Sequence, residues 1–446
     1  MKSRASAIPA AVVAVILATA SILAQGPRRD RHVIVISLDG FAAYALADPM
    51  IPLPTLRALA RDGVMAEAMI PVNPTVTWPN HTTIVTGVPP ERHGLLYNGL
   101  PVRAAAGSKD APVRIEAHVD KGTLVTAPTV YDAAHAAGLT TAEMDWVAIE
   151  NAPTITWSFS EYSKPQGSLQ REMVTAGVVT DADLERFAKA PITFRDEIWT
   201  RAAEFVIRTH KPNLLLYHLL TTDSMQHQAG ARTLGAQTSL VLADTRVARL
   251  VAACREAGIL ANTTFVVLSD HGFKTYTRRI RANVMLKAAG LGDQAWAIAE
   301  GGSAMIYVTA PAPERAKTID AIKAAFTGAD GVSKVLTPAD LAAAEYPSPE
   351  TMTRMAEVVV AASEGVAFAD GVDGAAIEPV PAGAGAHGYL NSDADMRAIF
   401  IASGAGVKAG APLGVIHNLD IAPTIARWLG VPLPSAIGQP LTAIMR

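Results

Sequence analysis

HVIVISLD, residues 32–39, is an almost unbroken apolar run that ends in an aspartate. A strand buried on both faces reads this way, because neither side of its pleat meets water. LPTLRALARDG (53–63) follows with helical spacing and a glycine stop. NLLLYHLLTTD (213–223) and TTFVVLSDHG (263–272) repeat the strand pattern, each with an aspartate at or near its end. AMIYVTA (304–310) and RAIFIASG (397–404) are further predicted strands. Helical patterns run from Ser239 to Ala257 and through LDIAPTIARWLG (419–430). Alternation of this kind predicts an α/β fold, a largely parallel central sheet with helices on both faces.

Two stretches depart from the alternation. Residues 99–125 and 147–195 are rich in turn and polar residues, and they are predicted to be insertions that cap or line a cleft. Residues 369–388 are dense in Gly, Ala and Pro and read as a loop carrying His387. No internal repeat is present, so residues 31–446 are expected to form one catalytic domain.

Composition narrows the class. Of 446 residues half are apolar, which suits a large buried core. The net charge of −3 excludes the basic excess of a nucleic-acid-binding surface. Lys2 and Arg4, then an apolar run from Ile8 to Ala24, then QGPRRD, have the order of a secretory leader. The run is short of the ~20 residues that span a bilayer. A signal peptide over 1–24 and an exported, periplasmic or secreted protein are expected, with no other membrane span. The single cysteine, Cys254, allows no intrachain disulfide and reads as a small apolar residue on a helix.

Asp39, Asp223 and Asp270 close three separate apolar runs. In an open parallel sheet ligands bind at the carboxyl ends of the strands. Carboxylates gathered there repel one another unless cations lie between them. His227 follows Asp223 at +4, and His271 follows Asp270 directly. Imidazole nitrogen and carboxylate oxygen together make a zinc donor set. His387 lies in GAGAHGYLN, where glycines leave the backbone free to aim a ligand.

The segment NPTVTWPNHTTIVTGVPPERHGLLYNG (73–99) resembles the nucleophile region of the nucleotide pyrophosphatase/phosphodiesterase family of the alkaline phosphatase superfamily. VISLDGF (35–41), TTDSMQHQAG (221–230), LSDHGF (268–273) and GAHGYLNSDADMRAIFIASG (385–404) resemble its other blocks, in the same order. The resemblance runs from residue 33 to about 430 and implies an alkaline-phosphatase-like core. It implies two Zn2+ ions, or other divalent metals, and a threonine nucleophile acting through a phospho-threonine. One ion would lie between Asp223, His227 and His387. The other would lie between Asp39, Asp270 and His271, with Thr77 completing its shell. Asn98 stands where the family has its phosphate-orienting asparagine, and Trp78 where it has an aromatic against the leaving group. Thr222 and Gln226 replace the family's frequent Pro and Gly, and Trp146 in MDWVAIE lacks its usual Pro-Gly followers.

The chemistry is coherent with these residues. A threonine hydroxyl is a weak nucleophile unless its alkoxide is favoured. WPNHTTIVTG reads as a helix start, whose free N–H groups suit a phosphoryl oxygen. Four positive charges on two ions are balanced by three aspartates and an ionised Thr77. No Lys or Arg lies between Pro71 and Pro90, which favours a singly charged diester over a dianionic monoester. The basic run Lys274, Arg278, Arg279, Arg281 points the other way if it reaches the site. The expected activity is hydrolysis of a small-molecule phosphodiester or pyrophosphate, with a phosphomonoesterase as the alternative. A sulfatase would need a C/S-x-P-x-R setting, and Cys254 lies in CREAG. His81 and His93 are expected to brace loops, whereas His218 has no partner legible in the sequence.

Overall fold

A computed structural model describes residues 26–104 and 111–446. The expected leader, residues 1–24, lies outside the described residues. Among the described residues no helix is long and apolar enough to cross a membrane.

Seven strands form the main sheet: β1 (His32–Leu38), β2 (Val64–Met65), β3 (Thr141–Met144), β4 (Trp157–Phe159), β5 (Leu214–Leu219), β6 (Thr263–Leu268) and β7 (Phe400–Gly404). Their spatial order is β2-β7-β6-β1-β5-β3-β4. β6, β1, β5, β3 and β4 run parallel, and β7 is antiparallel to its neighbours β6 and β2. The sheet is therefore largely parallel, as the alternation of patterns predicts.

The period-two alternation of the strands sorts side chains onto two apolar faces. Ile34, Ile36, Leu215 and Tyr217 pack on one face, against α1 (Pro54–Asp62), α3 (Ile192–Thr209) and α5 (Leu234–Glu256). Val33, Val35, Leu214 and Leu216 pack on the other, against α2 (Thr77–Thr86) and α6 (Ile421–Leu429). Cys254 is buried in the first of these cores, and burial pushes its thiol up to about 12.

Three expectations change. The apolar run 213–223 is not one strand: β5 stops at Leu219, and Thr221–Ala229 is a helix, α4. Buried Asp196, on α3, accepts the N–H groups of Leu220 (3.2 Å) and Thr221 (3.0 Å) and so receives the start of that helix. Asp223 thus sits in a helical first turn, and His227 one turn on is beside it. AMIYVTA does form a strand, Ser303–Val308, but in a separate antiparallel sheet with Ala295–Ala299, Val358–Ala362 and Val332–Leu336. Finally, the Gly/Ala/Pro-rich stretch is not wholly a loop. Ile377–Ala386 is a strand, paired antiparallel with Lys274–Arg281. It lies at the edge of a three-stranded sheet, where Pro379 and Pro381 are tolerated because outward N–H groups need no partner. His387 follows at its end.

Of the two irregular stretches, 99–125 contributes the hairpin Leu100–Arg103 and Val113–Glu116, and 147–195 contributes edge strand β4 and two short helices.

Candidate metal and nucleophile site

The seven residues singled out as nucleophile and metal ligands lie together at the carboxyl end of the main sheet. Asp39 follows β1 and Asp270 follows β6, neighbours in the sheet. α4 adds Asp223 and His227 above them. Ligand atoms of Asp223, His227 and His387 lie within 4.8 Å of one another, and so do those of Asp39, Asp223 and His271. His271 Nε2 is 3.1 Å from Asp270 Oδ2 and 3.5 Å from Asp39 Oδ1. Thr77, the first residue of α2, has its Oγ1 3.4 Å from the same nitrogen.

Each of the three imidazoles is held by its far nitrogen. His227 Nδ1 donates to the Gly385 carbonyl (2.9 Å), His387 Nδ1 to Thr75 (3.0 Å) and His271 Nδ1 to Gly272 (3.1 Å). A carbonyl only accepts, so Nδ1 carries the proton and each Nε2 is left with a lone pair. Burial pushes His271 down to about 4 and His387 down to about 3, whereas at His227 the Asp223 carboxylate outweighs burial and raises the pKa. The carboxylates are divided in the same way. Asp270 accepts the Gly40 N–H through Oδ1 (3.2 Å), and Asp39 accepts from His218 through Oδ2 (3.1 Å). Asp39 Oδ1, Asp270 Oδ2 and Asp223 Oδ1 are buried without a hydrogen-bond partner.

Unpaired buried acceptors are rare, and three beside three imidazole lone pairs are the donor set a divalent cation requires. The electrostatics agree. Burial, then the charges of Asp270 and Asp223, push the pKa of Asp39 well up. Burial acts on Asp223 too, but the imidazoles of His227, His387 and His271 outweigh it and bring its pKa down. Side chains of Asp223 (16 % exposed) and His227 (43 %) form the solvent-facing edge of the cluster.

Distant segments are tied to one another here. Thr75 Oγ1 donates to the Tyr389 carbonyl (2.6 Å) and Asn73 Oδ1 accepts the Asn391 N–H (2.8 Å), which fixes the His387 loop against the segment that leads into Thr77. Gly388 has φ +79, and a Cβ there would lie 1.5 Å from the Glu300 carbonyl oxygen, so no other residue fits. Thr222 Oγ1 donates to the Asp39 carbonyl (2.6 Å) and Gln226 Nε2 to the Gly40 carbonyl (2.9 Å). The two departures from the resembled pattern therefore clamp α4 onto the turn that carries Asp39. Pro and Gly at these positions have no donor with which to do so.

Asn98 is exposed, and its Oδ1 accepts the Trp78 N–H (2.9 Å). That bond turns the amide so that Nδ2 is left to donate elsewhere. Trp78 lines a groove with Trp146, Val119, Val147 and Tyr162, bounded by Glu150 and Glu161. Among the described residues no Lys or Arg lines it. The basic run is neutralised elsewhere: Lys274 pairs with Glu364 and with Asp393 (2.9 Å), Arg278 with Asp330 (2.8 Å), and Arg279 and Arg281 with Glu378.

Two residues escaped the sequence. His218 stands between Asp39 and Asp145, and only the register of β1 against β5, which sets Ser37 beside it, brings it there. Asp196 is 0 % exposed and also pairs with Arg246 (3.2 Å). A lone aspartate in a helix carries no sequence signal for such a role. His81 bonds the Thr77 carbonyl (2.9 Å) and Ser37 Oγ (2.8 Å), and His93 bonds Thr83 (3.0 Å).

Comparison with known proteins follows the same line. The family model described as type I phosphodiesterase / nucleotide pyrophosphatase matches residues 33–390. The bovine ectonucleotide pyrophosphatase/phosphodiesterase family member 3 is 23% identical over 257 residues, 56% of this chain and 26% of that protein. The match thus spans about a quarter of that relative's length. Human family member 7 is 23% identical over 445 residues, covering 95% of this chain and 86% of that protein. The murine ectonucleotide pyrophosphatase/phosphodiesterase 5 superposes with TM-score 0.71 at 18% identity, over 93% of this chain and 100% of that one. A structure of an inactive threonine-to-alanine form of that murine protein, in complex with AMP, superposes with TM-score 0.69 at 19% identity, over 90% and 96%.

Asp196→Ala should destabilise the fold by about 3–5 kcal/mol, because it leaves the Arg246 charge buried and unpaired. Urea unfolding would measure this. A loss below about 1 kcal/mol would remove Asp196 from the support of α4.

Proposed function

The chain belongs to the type I phosphodiesterase/nucleotide pyrophosphatase family, and from that premise we propose that it hydrolyses phosphodiester or pyrophosphate bonds with the hydroxyl of Thr77. The observation that carries this reading is the position of Thr77 Oγ1, 3.4 Å from His271 Nε2, at a cluster whose three aspartates each keep one buried oxygen unpaired.

Asp223, His227 and His387 would hold one divalent cation, and Asp39, Asp270 and His271, whose Nε2 lies 3.5 and 3.1 Å from the two carboxylates, a second, with zinc the ion that best suits this mixture of imidazole and carboxylate. Bound there, the cations would supply Lewis acidity that favours the Thr77 alkoxide and offsets charge on the phosphoryl oxygens. Thr77 Oγ1, its proton given to solvent, attacks phosphorus. The bond from phosphorus to the leaving oxygen breaks, and that oxygen takes up a proton. Water then attacks the phospho-threonine, the bond to Oγ1 breaks, and the hydroxyl is restored. Asn98, its Oδ1 already occupied by Trp78, donates through Nδ2 to a phosphoryl oxygen as charge grows on it. Trp78 would face the organic part of the leaving group from the mouth of the narrow crevice that Tyr162 and Trp146 also line.

Charge supports a diester or an anhydride over a monoester. The basic run is paired with carboxylates, and among the described residues no Lys or Arg lines the groove, which favours a singly charged phosphoryl group. The AMP bound to the murine structure supports a nucleotide-sized product as one fit to such a site. An exported setting is in keeping with the leader pattern of residues 1–24.

Thr77→Ala should abolish turnover while zinc content, measured on the purified protein, stays near that of the parent. Full activity in that variant would remove Thr77 from the mechanism. Asn98→Ala should lower kcat by about a hundredfold, the loss seen when one oxyanion donor is deleted. An unchanged kcat would leave that donor without a role. Rates on an aryl phosphate diester and an aryl phosphate monoester, taken side by side, should favour the diester. A monoester preference of about a hundredfold, ~2.7 kcal/mol in barrier, would make this a phosphomonoesterase instead.

A further inference from the structure

His218 lies on β5 directly beside Ser37 of β1. Strand alternation puts both side chains on the face that α2 covers, where the next residues along would otherwise continue the row of Val33, Val35, Leu214 and Leu216. An imidazole in that row is costly unless both nitrogens are satisfied. They are. Nε2 lies 3.1 Å from Asp39 Oδ2, and Nδ1 donates to the Asp145 carbonyl at 3.0 Å with the Asp145 carboxylate at 3.5 Å. The ring is 0 % exposed and is packed edge-on against His81, centroids 4.4 Å apart.

Asp145 is itself unusual. It is buried, neither carboxylate oxygen has a hydrogen-bond partner, and its φ is +60. A non-glycine residue in the left-handed region is strained by about 1 kcal/mol or more and persists where its surroundings over-determine it. Here its N–H donates to the Phe159 carbonyl (3.0 Å), and Glu143 accepts the next N–H, from Trp146 (3.0 Å). The strained turn presents one carbonyl and one carboxylate to a single ring.

The geometry points to His218 as a positioning residue for Asp39: anchored by the Asp145 turn, its Nε2–H holds Oδ2 and thereby directs the unpaired Oδ1 toward the second cation site. Among the described residues no other side chain is hydrogen-bonded to the Asp39 carboxylate: His271 Nε2 lies 3.5 Å from Oδ1, and Thr222 bonds only the backbone carbonyl. This role rests on the proposal that Asp39, Asp270 and His271 hold a cation. Partners that orient a ligand in this way are worth about 10–100-fold in metal affinity.

Zinc affinity of the full chain, measured by competition with a chromophoric chelator, tests it. H218L removes both donors at similar volume, and H218Q keeps an N–H near the position of Nε2. H218L should bind one of two zinc equivalents about 10–100-fold more weakly than the parent, and H218Q should recover most of that loss. Circular dichroism of the metal-free proteins in EDTA identifies the variants that fold. If H218L does not, H218N replaces it, because its shorter amide reaches the Asp145 carbonyl but not Asp39, and the same weakening is expected. Wild-type affinity at both sites in H218L or H218N would overturn the role. So would equal weakening in H218Q and H218L, which would assign the effect to packing. Parent protein that binds no zinc would instead overturn the cation reading, leaving the two failures distinct.

Discussion

Carboxylates do not gather in a protein interior without something to hold them there. Asp39, Asp223 and Asp270 converge from β1, α4 and the end of β6, and each keeps one buried oxygen without a hydrogen bond. Their mutual repulsion is visible in the raised pKa of Asp39, to which burial contributes first and its two carboxylate neighbours next. Three imidazoles offering lone pairs across the same space make the arrangement intelligible as a cradle for positive charge. Much of the surrounding architecture can be understood as the means of keeping these six side chains in register.

That support is layered. The parallel strands bring Asp39 and Asp270 to one edge, and Asp196 receives the helix that carries Asp223 and His227. Thr222 and Gln226 then bolt that helix to the Asp39–Gly40 turn. The His387 loop is held from the other side by Thr75 and Asn73, residues of the segment that leads into Thr77. A displacement of the His387 loop would therefore be felt by the segment that carries Thr77, because the Gly388 N–H donates to the Thr75 carbonyl. Buried polar networks of this kind are stable only when complete, which explains why so many of their members are fully enclosed.

The groove beside Trp78 follows a different rule. It is lined mostly by apolar and aromatic side chains, with carboxylates at its margin and, among the described residues, no cation in its wall. The arginines and the lysine that follow the Asp270–His271 pair are spent on Asp330, Glu378, Glu364 and Asp393.

Much of this was legible along the chain. Continuous apolar runs ending near aspartates announced a parallel sheet and its ligand-binding edge, because burial on both faces and strand-end chemistry are local properties of a segment. The block around Thr77 and the Asp-His pairs were legible for the same reason, as short patterns whose spacing survives in one dimension. Other features were not. The change from strand to helix at Leu219 had no marker in an apolar run, and it depends on Asp196, a residue of another element. The strand Ile377–Ala386 contradicts its own composition and exists because an edge position forgives proline. His218 looked partnerless because its partners, Asp39 and Asp145, are 179 and 73 residues away. Local pattern determined the elements and the kinds of chemistry they could carry. Pairing register and long-range hydrogen bonds, which have no one-dimensional signature, decided which side chains meet.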